Sequence, residues 1–364
     1  MLRAYRTQAA ITLGSFLATV WVPFVNRSKL GDLSDWYGDH LHHPFATWVA
    51  FTKGLVIYTR TFSEVWSDTG FAHPMLSWGQ MPMAYPPGVF AVFTPTMLVG
   101  QYIPMSLHSF GVINIVYLLM LAHLSFFAVL ISFKEAPVGS RATAAVIIWM
   151  FIILLASEGF YDTVFIGAGA MVSFELLKKR PARALCWLSA GALLHFRMAA
   201  FAPLGLYALH QLWVGRKEHP LPWKTLVFTA FAAATCIWSF WMMYPATLAF
   251  QAVSPPVLPP GSQGHTVVLV LSLVTAAVAF VFADYVVALI VLICLGLCLV
   301  ERQPYWWHAA ILLAPVLAVG ATGKARQPSV ARAVIVAWAV SISPLVWRDP
   351  AFNLVRSFAI AFKL

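Results

Sequence analysis

The sequence predicts an all-α fold, a polytopic membrane helical bundle of about ten spans, with a long extracytoplasmic first loop that contains interfacial helices. Hydrophobic residues make up 61% of the 364 residues and charged residues only 10%, whereas soluble proteins have about 25% charged residues. Apolar runs approaching span length recur along the chain, and basic residues gather in the short segments between them. We therefore expect a single membrane domain over residues 1–364.

The net charge of +10 does not indicate a nucleic-acid-binding protein. The basic residues follow the positive-inside pattern and form no stripe with interleaved aromatic residues. All four cysteines lie in apolar runs, where small packing residues are expected instead of disulfide partners or metal ligands. We therefore expect no nucleic-acid partner, and the cysteine content does not indicate a redox compartment.

The N-terminal part is predicted to contain one span and one long loop. Residues 8–25 form the first apolar run; basic residues precede it and no small-residue cleavage site follows, so we expect a retained signal anchor. Residues 26–108 are the predicted extracytoplasmic loop. Within it, residues 44–53 indicate a short interfacial helix, and Pro44 is expected to disfavour the α conformation at His43.

Residues 88–104 are predicted to be an interfacial or re-entrant helix, although a second span is the alternative. Basic loops alternate along the chain with two loops that carry Glu158, Asp162 and Arg197. If the basic loops are cytoplasmic, these three residues face the same outer side of the membrane as the long loop only when residues 88–104 do not cross the bilayer. The basic loops are residues 134–141, 178–183 and 215–224.

The remaining spans are predicted from apolar runs that end at charged or proline-rich segments. A proline-rich outer loop at residues 254–264 is expected to be stiff enough to cover a cavity. Residues 266–300 form either one tilted span or two short spans that turn at Asp284. The other predicted spans are residues 110–133, 144–157, 163–177, 184–194, 200–214, 225–244, 308–320 and 333–346.

Asp35 and Asp39, in the long loop, are the candidate catalytic carboxylates. They are four residues apart, so they share a face if the segment is helical. Two neighbouring carboxylates raise the pKa of one of them, which suits a general base. Asp32 or Asp35 can instead cap a helix that begins near Tyr37. We assign the cap to Asp32, and the sequence leaves open which of Asp35 and Asp39 is the base.

Histidines follow these carboxylates directly. His40 and His43 have the spacing to share a helical face, and imidazole suits zinc or copper. Pro44 interrupts this pattern, however, and no further histidine or cysteine stands at ligand spacing. We therefore expect a histidine cluster at the bilayer surface that hydrogen-bonds lipid headgroups or sugar hydroxyls. No cofactor is expected. The sequence leaves a divalent metal open but has no Asp-x-Asp motif that would indicate one.

Arg197 stands between two apolar runs, where an arginine either snorkels to the surface or binds an anion. Its guanidinium matches a phosphate through two parallel hydrogen bonds. Glu158 and Asp162, four residues apart and on the same predicted side, can hold a sugar hydroxyl or orient Arg197. The alternative for Glu158 and Asp162 is a capped helix end at a tight turn.

The order of these features resembles the GT-C glycosyltransferases, polytopic enzymes that use a polyprenyl-phosphate-linked sugar as donor. That family has an acidic residue after its first span, and the resemblance covers residues 31–204. This sequence lacks the Gly-Gln element of the family, and Arg197 stands where the family commonly has lysine. The matching elements are residues 34–39 (SDWYGD), 54–58 (Gly-x-x-x-Tyr), 84–88 (AYPPG), 158–162 (EGFYD) and 197–204 (RMAAFAPL).

The resemblance implies an inverting membrane glycosyltransferase with Asp35 or Asp39 as general base toward an acceptor hydroxyl. Arg197, with Lys324 and Arg326, would bind the donor phosphate. It implies a polyprenyl-phosphate sugar donor, a lipid, glycan or protein acceptor, and surrounding membrane lipids as partners. The expected location is a bacterial inner (plasma) membrane with an extracytoplasmic active site. The implied substrate-binding residues are Tyr37, His43, Tyr58, Tyr85, Glu158, Asp162 and His195.

The alternative from another class is a transporter or lipid flippase with Asp162, Asp284 and Arg197 along its path. Transporters often show internal repeats and broken helices, and neither is visible in this sequence. A non-catalytic subunit of an envelope assembly complex is the third reading.

Overall fold

The computed structural model of the chain is helical in every regular element of the part it describes. The all-α prediction is therefore confirmed for that part. The structure describes residues 5–21, 39–54, 56–61, 64–65, 70–72, 85–132, 134, 142, 145, 149, 161, 163–195, 198, 202–218 and 220–253. The helices are α1 (Arg6–Thr19), α2 (Asp39–Lys53), α3 (Val56–Thr59), α4 (Gly88–Tyr102), α5 (Leu107–Ser132), α6 (Thr163–Leu177), α7 (Pro181–Leu194), α8 (Ala202–Gly215) and α9 (Trp223–Val253).

Two of the described helices are long and apolar enough to cross a bilayer: α5, and the Trp223–Met243 part of α9. Five other helices have 14 or 15 residues each: α1, α4, α6, α7 and α8. Each is therefore about 22 Å long, which is shorter than the roughly 30 Å thickness of the bilayer hydrocarbon core. The predicted spans at residues 144–157, 266–300, 308–320 and 333–346 lie wholly or mostly outside the described residues.

One prediction about helix limits was wrong. Helix α2 includes both His43 and Pro44, so Pro44 does not keep His43 out of the α conformation. A proline there removes one hydrogen bond, and the packing of α2 on α4 holds the rest of the helix together. Helix α9 contains the predicted span at residues 225–244 and continues past it to Val253.

Helices α7 and α9 lie side by side and run parallel. Three polar contacts join them, and the partner numbers rise together along both helices. The contacts are Cys186 Sγ to Thr225 Oγ1 (3.7 Å), Ser189 Oγ to Thr229 Oγ1 (3.1 Å) and the Cys236 thiol to the Ala192 carbonyl (3.1 Å). Because both helices begin at the same end, the basic turns that precede them both lie at that end.

The turn between α6 and α7 shows how the chain reverses there. Lys179 has a φ of 56°, in the left-handed region, and the Arg180 amide donates to the Glu175 carbonyl at 2.8 Å. Pro181 then begins α7, a position where its missing N–H costs nothing. The cationic turn therefore lies at the opposite end of α7 from His195, the residue that follows its last turn.

Helix α1 packs on α5 through a buried histidine. His123 Nδ1 lies 2.7 Å from the Leu119 carbonyl, so that nitrogen carries the proton and Nε2 is the acceptor. The Ser15 hydroxyl, 2.9 Å from Nε2, donates to it. The Trp149 indole N–H donates in turn to Ser15 Oγ. This network links α1 to two other parts of the chain.

Candidate functional site

Five rings from four separate parts of the chain meet where α7 ends; we call them the ring cluster. The cluster consists of His43, Tyr85, Phe93, Tyr161 and His195. The His43 ring lies 4.4 Å from Tyr85, 4.7 Å from Phe93 and 5.3 Å from Tyr161, between ring centroids. Tyr85 lies 5.0 Å from His195. Tyr85 thus connects a histidine of the long loop with the histidine that follows α7.

The Tyr-Pro-Pro-Gly segment fixes Tyr85 in this position. Pro86 and Pro87 follow Tyr85, and α4 begins at Gly88 directly after Pro87. Gly88 packs so tightly against the end of α7 that an added Cβ would lie 2.4 Å from the Leu193 carbonyl oxygen. Only glycine allows this approach, and it brings Tyr85 to His195.

Helix α2 brings the histidines into the protein interior. His40, His42 and His43 are all buried, and the His42 and His43 rings stack with centroids 5.4 Å apart. Helix α2 ends at Lys53, and the next residue, Gly54, turns the chain sharply with a φ of +65° and an amide that donates to the Ala50 carbonyl. The burial contradicts a histidine cluster lying at the bilayer surface.

Burial controls the charge of these histidines. It lowers the pKa of His42 to about 3. The pKa of His43 is also well below its usual value, first through burial and then through the proximity of His42 and His195. Both imidazoles are therefore neutral at ordinary pH, and each offers one donor and one acceptor. Such groups suit the binding of hydroxyls, whereas a general base needs a pKa closer to the working pH.

No protein-family model matches the sequence, and no curated protein matches it.

Three of the predicted substrate-binding residues, His43, Tyr85 and His195, are together in the ring cluster. Asp39 is the first residue of α2, one turn before His43. Its side chain is not in the part of the chain that the structure describes. The other predicted site residues outside the described part are Asp35, Tyr37, Glu158, Asp162, Arg197, Lys324 and Arg326.

Tyr58 is also predicted to bind substrate, but its ring does not contact the rings of His43, Tyr85 or His195. Its ring lies 6.0 Å from Phe90 and 6.3 Å from Trp238, between centroids. The side chain is completely buried. Burial, with a smaller effect from Cys236, raises the pKa of Tyr58. Tyr58 therefore belongs to a separate aromatic group between α3, α4 and α9.

Sequence reasoning missed Tyr161 and Phe93. Tyr161 stands directly before Asp162, and its place inside the acidic 158–162 segment was a signal that could have identified it. Phe93 lies in an apolar run with no distinguishing pattern. Among the residues described, no group of three or more histidine, cysteine or acidic side chains is arranged to hold a metal ion.

Proposed function

We propose that the chain is a membrane glycosyltransferase of the GT-C type. It transfers a sugar from a polyprenyl-phosphate donor to the hydroxyl of a lipid, glycan or protein acceptor, with inversion. The observation that carries this proposal is the meeting of His43, Tyr85 and His195 at one end of the bundle. The resemblance to GT-C enzymes names all three as substrate-binding residues.

The chemical character of the ring cluster supports a sugar as ligand. Neutral imidazoles and tyrosine hydroxyls donate to and accept from sugar hydroxyls, and the apolar faces of a sugar pack on aromatic rings. Because burial keeps His42 and His43 neutral, we assign the proton transfer to a carboxylate. Asp35 or Asp39 removes the acceptor proton as the hydroxyl attacks the anomeric carbon.

The donor phosphate is assigned to Arg197, two residues after His195 in sequence, with Lys324 and Arg326. A guanidinium stabilises the negative charge that develops on the departing lipid phosphate. The proposed setting is a multi-pass protein of the bacterial inner membrane with about ten spans. Two described helices of sufficient length and apolarity support membrane insertion.

The experiment uses purified full-length protein with radiolabelled polyprenyl-phosphate sugars and measures transfer to an acceptor. Changing both Asp35 and Asp39 to Asn should lower the rate by about a hundredfold to ten-thousandfold. Arg197→Gln should lower it by about a hundredfold or more, with partial recovery in Arg197→Lys. Asp68→Asn, a change of the same kind elsewhere in the loop, is the matched control and should leave the rate unchanged.

Two results contradict the proposal. Full activity in the Asp35→Asn, Asp39→Asn double variant would exclude the assigned base. Donor binding without transfer or hydrolysis, for every sugar and acceptor offered, would favour a transporter, a flippase or a non-catalytic subunit. Correct folding of each variant is checked by its elution volume in detergent and by its thermal unfolding.

A further inference from the structure

Positive charge is concentrated at the end of the bundle where α7 and α9 begin. Residues 178–183 contain four lysines and arginines with no acidic residue, and residues 216–224 contain three with one acidic residue, Glu218. We call the lysines and arginines of these two segments the basic end. It lies at the opposite end of α7 from the ring cluster, which His195 joins directly after the last turn of that helix.

The pairing of α7 with α9 places the two basic segments on neighbouring helices. The Cys186 thiol lies 3.7 Å from the Thr225 hydroxyl, so the first turns of the two helices are side by side. Lys224 directly precedes Thr225, and Arg183 stands three residues before Cys186, which is about one helical turn. Charges from segments far apart in sequence therefore add to one positive surface.

The basic side chains are open to a ligand. Those at exposed positions include Lys179, Arg183, Lys217 and Lys224. The Arg180 side chain is 51% exposed, and its guanidinium lies 3.8 Å from the Glu175 carboxylate, too far for a direct hydrogen bond. Like charges gathered on one surface repel one another, and an anion bound among them lowers that repulsion.

Two tryptophans indicate the depth of the basic end in a bilayer. Trp213 and Trp223 are 60% and 65% exposed, and tryptophan is enriched at membrane–water interfaces. Trp223 also begins the part of α9 that is long and apolar enough to cross a bilayer. The guanidinium carbon of Arg216 lies 3.3 Å from the Trp213 ring centroid. This stacking uses the face of the guanidinium and leaves its in-plane N–H groups for an acceptor.

We propose that the basic end is a docking site for the headgroups of anionic phospholipids. Lipid phosphates lie at the depth that Trp213 and Trp223 indicate, and lysine and arginine donate charge-assisted hydrogen bonds to phosphate oxygens. Clusters of about four to eight lysines and arginines beside a membrane span are typical of anionic-lipid sites. A zwitterionic headgroup also carries an ammonium or choline cation, which the basic end repels. The inference requires the chain to lie in a bilayer, but it does not require sugar transfer.

The test measures how tightly the purified full-length protein binds three lipids with the same acyl chains. Phosphatidylglycerol, phosphatidylcholine and phosphatidylethanolamine are each titrated and followed by native mass spectrometry in detergent. Two double variants each remove one exposed charge from each segment. The first combines Arg183→Gln with Lys224→Gln, and the second combines Lys179→Gln with Lys217→Gln.

The matched control combines Lys53→Gln with Arg60→Gln, which removes the same charge at exposed positions outside the basic end. Arg180 is left unchanged, because its loss would leave the buried carboxylate of Glu175 without its cation. All the substituted positions are exposed, so the melting temperatures of the variants in detergent should match that of the wild type.

The wild type should bind phosphatidylglycerol at least about tenfold more tightly than phosphatidylcholine or phosphatidylethanolamine. Each double variant should bind phosphatidylglycerol about twentyfold to thirtyfold more weakly, because each basic residue contributes about a fivefold gain in affinity. Phosphatidylcholine binding should change little in any variant. Higher ionic strength should weaken phosphatidylglycerol binding to the wild type, and the control should bind it as the wild type does.

Three outcomes overturn the inference. Equal binding of the three lipids by the wild type shows that headgroup charge has no effect, and this comparison needs no variant. An equal loss in the control and in the double variants shows an effect of net charge alone. Unchanged phosphatidylglycerol binding in both double variants shows that the lipid binds elsewhere. Failure to transfer sugar contradicts the proposed function and leaves this site unaffected.

Discussion

Acidification should destabilise this protein through its buried histidines. His42 and His43 stay neutral in the folded state, because burial lowers the pKa of His42 from 6.5 to about 3 and lowers that of His43 in the same direction. The unfolded chain binds a proton at each imidazole below pH 6.5. The stability they contribute is therefore fully present above that pH and is lost as pH falls below it.

The magnitude can be worked out for His42, the histidine whose folded-state pKa has a value. One pH unit corresponds to about 1.4 kcal/mol for a proton bound only by the unfolded state. Between pH 6.5 and about pH 5, His42 therefore lowers the free energy of unfolding by about 1.5–2 kcal/mol, and His43 acts in the same direction. That is a measurable part of the roughly 5–15 kcal/mol of stability that a domain has.

The assay is unfolding in detergent at a series of pH values. The His42→Gln, His43→Gln double variant should lose most of the pH dependence, because glutamine keeps hydrogen-bonding capacity without titrating. His210→Gln, at an exposed position on α8, is the control and should keep the wild-type dependence. Identical pH dependence in the wild type and the double variant would refute the reasoning.

Three further changes test the packing by thermal or chemical unfolding. Gly88→Ala should lower the free energy of unfolding by about 1–3 kcal/mol, because the new Cβ would lie 2.4 Å from a backbone carbonyl oxygen. Gly14→Ala is the control and should not destabilise the protein, because nothing lies within 4 Å of its new Cβ. Equal losses in the two variants would contradict the close approach at Gly88. Ser15→Ala should cost about 1 kcal/mol by removing a donor to His123, and no loss would argue against that hydrogen bond. Lys179→Gly should be neutral or stabilise by up to about 1 kcal/mol, because it relieves a φ of 56°; clear destabilisation would contradict that backbone conformation.

The positions of the helices in the described part followed closely from the apolar runs. The run at residues 163–177 coincides with α6, and the run at 110–133 differs from α5 by a few residues at its ends. Charged turns and prolines mark these ends clearly. The rule that failed was the one applied to Pro44, because packing of α2 against α4 outweighs a local backbone preference.

The contacts between helices could not be predicted in the same way. Helices such as α5 and α6 are apolar on nearly every side, so the sequence pattern does not show which face points inward. His43, Tyr85 and His195 were predicted as substrate-binding residues from the resemblance to GT-C enzymes, and the Tyr85 ring contacts both histidines. Phe93 has neither signal, and its place beside His43 depends on the rotation of α4, which the sequence alone does not determine.

The parallel pairing of α7 with α9 has a mechanical consequence. Its polar contacts lie along α7 from Cys186 to Ala192, so sliding one helix past the other breaks all of them together. We therefore expect a tilt that the bilayer imposes on α9 to shift the C-terminal end of α7 as well, and with it His195 of the ring cluster.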